Sequence, residues 1–90
     1  MQQLGPIIII DDDLDDQELL AEAFQSLNCP REVIFFVDGY QAVDFMENCA
    51  TPPFLILSDV NMPRINGFEL REKIHGSGNP KLRTIPFLFF

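Results

Sequence analysis

Apolar residues cluster along the chain in four short unbroken runs, and between the runs their spacing changes to that of a helix. The first run, "IIII" at Ile7–Ile10, shows no alternation, which is the pattern of a strand buried on both faces; Pro6 marks its start. From Leu14 the period changes. Leu20, Ala23, Phe24 and Leu27 fall at i, i+3, i+4 and i+7, the apolar face of an amphipathic helix with Asp15, Asp16 and Glu18 in its first turn. The unit then repeats. "VIFFVD" from Val33 predicts a second buried strand, and Ala42, Phe45, Met46 and Cys49 a second helical face beginning after Asp38 and Gly39. Pro52 and Pro53 end that helical region, "FLILSD" over 54–59 predicts a third strand, and "VNMPRING" a loop before a helix from about 68 to 74. A second loop, containing Gly76, Gly78 and Pro80, leads to a fourth strand, "IPFLFF", over 85–90.

Strands alternating with amphipathic helices predict an α/β fold, a doubly wound parallel sheet with right-handed crossovers and helices on both faces. Ligands in such sheets bind beyond the carboxyl ends of the strands, where the strand order reverses. Two strands end in acid there, the first at Asp11 and the third at Asp59. The sequence stops inside an apolar run that should be an interior strand, and a flat aromatic edge is rarely left uncovered. The expectation is therefore one domain over residues 1–90, incomplete and ending within its fourth strand, with association through that edge, such as a homodimer, if nothing covers it.

Charge narrows the function. Fourteen Asp and Glu against six Lys and Arg give a formal net charge of -8, which argues against nonspecific nucleic-acid binding and against an anionic membrane surface. No apolar stretch reaches the ~20 residues of a membrane span and no signal-peptide pattern opens the chain, so a cytoplasmic location is expected. Cys29 and Cys49 have neither CxxC spacing nor a secretory context, and carry no functional signal. The single histidine, His75, lies in a polar helical stretch beside Gly76; a solvent-facing position is expected for it.

The strongest chemical signal is "DDDLDD", five carboxylates within six positions, Asp11 to Asp16, at the end of the first apolar run. Charges so close repel one another unless water, a helix N-terminus or a cation offsets them. If the first and third strands are neighbours, Asp11, Asp12 and Asp59 converge on one small volume. Three hard oxygen ligands suit Mg²⁺, which is held by a few carboxylates together with waters and phosphate oxygens. A carboxylate beside such a cation can attack phosphorus directly to give an aspartyl phosphate. Asp59 fits the nucleophile, because it stands alone at a strand end before a loop shaped by Pro63 and Gly67.

Taken together, "IIIIDDD", "LILSDVNMPRING", "VDGYQAVDF" and "IPFLFF" resemble the receiver domain of two-component response regulators, over about residues 6–90. The resemblance implies a flavodoxin-like receiver fold of strand order 2-1-3-4(-5). It implies that Asp59 is the phosphoacceptor, taking its phosphoryl group from the phosphohistidine of a sensor histidine kinase or phosphotransfer protein. Asp12 would be a direct Mg²⁺ ligand, Asp11 would act largely through water, and Asn61 would offer its backbone carbonyl to the metal. Met62, Pro63 and Gly67 match the loop scaffold. The implied activity is a phosphorylation switch, not a turnover enzyme. Asp13, Asp15 and Asp16 have no required role in the family and are read as helix N-terminal and solvated charges.

Two elements of the family pattern are missing. Receivers carry a Ser or Thr at the end of the fourth strand and a Lys at the end of the fifth. The chain ends one residue before the first of these, and Thr84, Lys73 and Lys81 lie before the fourth strand, at the wrong end of the sheet. Two other families share parts of the acidic run. Asp11 and Asp13 form the D-x-D of haloacid dehalogenase-like phosphatases, in which they would be nucleophile and general acid with Mg²⁺. Asp11, Asp13, Asp15 and Glu22 also fall at positions 1, 3, 5 and 12 of an EF-hand loop, with Asp16 where the turn needs Gly. Neither accounts for the Asp59 loop.

Overall fold

All four isoleucines of β1 (Ile7–Ile10) are buried, and a parallel strand pairs with β1 along each edge. The computed structural model describes residues 5–90, so the first four residues of the expected 1–90 domain lie outside the described residues. After β1 come α1 (Leu14–Ser26), β2 (Val33–Phe36), α2 (Gly39–Glu47), β3 (Leu55–Ser58), α3 (Gly67–His75), α4 (Pro80–Arg83) and β4 (Phe87–Phe89). The strands form one parallel sheet in the order β2-β1-β3-β4, as the resemblance implies. No helix among the described residues is long and apolar enough to cross a membrane.

One face of the sheet holds the core. Ile8, Ile10, Ile56 and Phe87 pack there with Ala42, Val43 and Met46 of α2 and Leu70 and Ile74 of α3, closed by Ile65, Leu82 and Ile85. Burying these side chains stabilises the fold by about 1.5–3 kcal/mol for each large aliphatic residue. The other face is covered less well. The apolar spacing of α1 is that of a helix, but no residue of α1 is buried: Leu20 and Phe24 are half-buried and Leu27 is 75% exposed.

Side chains set the helix starts. Asp13, Asp38, Asn66 and Asn79 each accept a backbone N–H two or three residues ahead, and Asn66 forms a reciprocal capping box with Glu69. The cap at Asn79, followed by Pro80 at the first helical position, starts α4, a single turn within the stretch expected to be loop. His75 also departs from expectation. It is half-buried, with Nε2 2.9 Å from the carbonyl oxygen of Ile85 and its ring edge-on to Phe87. A partner ten residues away in the chain turns it inward.

Candidate functional site

Strand register alone brings the two acidic strand ends together. Ile10 lies opposite Ser58 and opposite Phe36, so the next residues, Asp11 and Asp59, leave the sheet side by side. The ladder runs one step further: the amide of Asp59 donates to Ile10 O at 2.9 Å, and that of Asp11 to Phe36 O at 3.0 Å. A buried β1 therefore fixes where both carboxylates begin.

Asp11 is fully buried. Its Oδ1 accepts the amide of Asp13 at 3.0 Å, but its Oδ2 has no hydrogen-bond partner. Burial pushes this carboxyl from its ordinary value of 3.8 up to about 6; the amide of Asp13 opposes the shift, and the charges of Asp59 and Asp16 add to it. Gln17 holds the bend in place, its Nε2 donating to the carbonyl of Asp11 at 2.8 Å and of Phe36 at 3.1 Å.

Asp12 is exposed and Asp59 half-buried, and one carboxylate oxygen from each of Asp11, Asp12 and Asp59 lies within 4.8 Å of the other two. Three carboxylates at that spacing repel one another, and a buried oxygen without a donor makes the arrangement less favourable still. The donor set fits a hard divalent cation such as Mg²⁺, which would satisfy Asp11 Oδ2 and cancel the repulsion.

The segment after Asp59 is folded back on itself. The amide of Gly67 donates to Val60 O at 2.9 Å, which closes the loop at its base. Asn61 is exposed, its amide 3.4 Å from Asp59 Oδ1; Met62 packs against the core, and Ser58 Oγ donates to the carbonyl of Asp59 at 2.9 Å. Asp13 caps α1 through the amide of Asp15 and is outside the carboxylate cluster, as are Asp15 and Glu22. Asp16 is also outside it, but is near enough to raise the Asp11 carboxyl. Thr84 caps the end of α4, while Lys73 and Lys81 lie in α3 and α4.

Sequence reasoning missed two contributors. Gln17 acts through backbone carbonyls, which no residue spacing announces. Arg64 and Asp38, 26 residues apart, form an ion pair at 2.6 Å that ties the Asp59 loop to the start of α2.

Comparison with known proteins agrees with this fold. The model of the response regulator receiver domain family matches residues 7–88. Among curated proteins, the response regulator Rcp1 of Synechocystis sp. is 31% identical over 85 residues, which are 89% of this chain and 56% of that protein. The chain thus spans little more than half the length of this relative. Among solved structures, the phosphorylated cyanobacterial phytochrome response regulator RcpA superposes with a TM-score of 0.82 at 29% identity, over 97% of this chain and 64% of the other. The receiver domain of a sensor histidine kinase from Pseudomonas aeruginosa PAO1, which has a magnesium ion in its active-site cleft, superposes with a TM-score of 0.79 over 97% of this chain and 66% of the other; at 24% identity it speaks for the fold alone.

Proposed function

Since the chain belongs to the response regulator receiver domain family, we propose that Asp59 accepts a phosphoryl group from the phosphohistidine of a sensor histidine kinase or phosphotransfer protein. The observation that carries this is the convergence of Asp11, Asp12 and Asp59 with one buried carboxylate oxygen left unpaired. The carboxylates of Asp11, Asp12 and Asp59 and the backbone carbonyl of Asn61 would hold Mg²⁺, with Asp11 acting largely through water. Bound there, the ion would neutralise charge on the phosphoryl oxygens during in-line transfer. The Asp59 carboxylate forms the new O–P bond as the N–P bond of the donor breaks, and the leaving imidazole keeps the electron pair. Gln17 ties the Asp11 end of β1 to the end of β2, the amide of Asp59 ties β3 to Ile10 of β1, and the closure at Gly67 holds the segment after Asp59 in place.

The outcome is a switch: phosphorylation biases a two-state equilibrium that a partner reads. Consistent with a net charge of -8, the partners are proteins and not nucleic acid or membrane. A cytoplasmic setting goes with such donors.

The test is to supply Mg²⁺ and acetyl phosphate and to map the acid-stable, base-labile phosphate. Label on Asp59 is the expected result. Label on Asp11 with continuous turnover would instead assign Asp11 and Asp13 to a haloacid dehalogenase-like phosphatase, and tight Ca²⁺ binding without phosphate would assign an EF-hand-like site.

A further inference from the structure

Arg64 has a φ of 69°, in the left-handed region that favours Gly or Asn, and the amide of Ile65 donates across it to the carbonyl of Pro63 at 2.7 Å. A three-residue turn with positive φ at its centre is rare and strained, by about 1–3 kcal/mol. The chain spends that strain on two anchors. The turn sends Ile65 into the core so close over Gly39 that a Cβ there would lie 2.7 Å from Ile65 Cγ2. It also sends the Arg64 side chain sideways, where Nη1 meets Asp38 Oδ2 at 2.6 Å and Cζ lies 5.0 Å from the centre of the Tyr40 ring.

Asp38 is already committed, since its Oδ1 caps α2 by accepting the amide of Tyr40 at 3.1 Å. Its side chain is only 14% exposed, so the guanidinium binds a carboxylate that cannot swing away. Resting on the reading of Asp59 and Asn61 given above, we propose that Arg64 is a positioning residue for phosphoryl transfer. The Asp38–Arg64 clasp fixes the outer limb of the loop whose inner limb carries Asn61, and so sets the direction in which the Asn61 carbonyl faces the Asp11–Asp12–Asp59 cluster. The two limbs are joined at the base by Gly67 and Val60, and the ion pair fastens the tip to the start of α2. The corner between β2 and α2 thereby becomes part of the metal-binding apparatus without contributing a ligand.

The experiment uses the full chain carrying Arg64→Asn, which tolerates the positive φ, Asp38→Asn, which keeps the cap on α2, and the double variant. Mg²⁺ affinity is measured by calorimetry and the rate of labelling by acetyl phosphate. Each single variant is expected to weaken Mg²⁺ binding and slow labelling about two- to fivefold, the range an exposed ion pair allows. The double variant should be no worse than either, Arg64→Lys should recover part of the loss, and the difference from the unsubstituted chain should shrink in 1 M salt. A lowered melting temperature with unchanged Mg²⁺ affinity and labelling rate, or losses that add in the double variant, would overturn the clasp while leaving Asp59 as acceptor. An unsubstituted chain that neither binds Mg²⁺ nor labels Asp59 would overturn both.

Discussion

A Cβ atom placed on Gly67 would sit 2.6 Å from the backbone oxygen of Asp59, and 3.0 Å from the Cα of Val60. Both neighbours are main chain and cannot yield by a rotamer change, so the start of α3 and Asp59 can approach this closely only because residue 67 has no side chain. Gly67→Ala is expected to destabilise the fold by about 1–3 kcal/mol despite the better helix propensity of Ala, and to slow acetyl phosphate labelling. Chemical denaturation and labelling rate, measured on one preparation, check both.

Asp12→Asn should separate binding from folding. The side chain is exposed, so metal-free stability should change by no more than about 0.5 kcal/mol. Mg²⁺ affinity should fall about tenfold or more, since even outer partners of metal ligands are worth about 10- to 100-fold. Equal affinity by calorimetry would remove Asp12 from the site.

Asp11 makes stability depend on pH in an unusual direction for a carboxylate. Its folded-state value, about 6, lies above its ordinary 3.8, so between these pH values the folded chain holds a proton that the unfolded chain has released. Without divalent ions, the Asp11 contribution should fall as pH rises from about 4 to 6 and stay flat above. The full difference is about 3 kcal/mol at about 1.4 kcal/mol per pH unit. Asp11→Asn should remove this slope and be the more stable protein at pH 7 without metal. Mg²⁺ should restore stability only to the unsubstituted chain. Denaturation curves against pH, with and without Mg²⁺, give the comparison.

What could be read from sequence follows the range of the forces involved. The four strands and three longer helices were legible because apolar runs, helical spacing and Asp or Asn caps are local signals; β1 and α1 begin where the pattern puts them. The acid pair and Asp59 were legible as chemistry, but their meeting depends on the parallel register of β1 with β3, which the residues alone left open and the family resemblance supplied. The inward turn of His75 depends on Ile85, and the Arg64 clasp on a carboxylate 26 residues earlier; neither leaves a mark in nearby sequence. The single turn of α4 is too short to show a period. The apolar stripe on α1 was visible, yet period says nothing about how much surface is present to cover it.

That half-covered helix sits directly beside the best-protected strand, and the acidic run spans the boundary between them. Backbone amides of β1 should exchange with deuterium only through global unfolding, whereas those of α1, whose side chains are at most half-buried, should exchange through a local opening of much lower free energy. Asp11 then belongs to the slow unit, while Asp13, Asp15 and Asp16 belong to the fast one. Asp12 lies between the two segments, and a cation gripping Asp11 and Asp12 would slow the exchange of the first turn of α1 before that of any other helix.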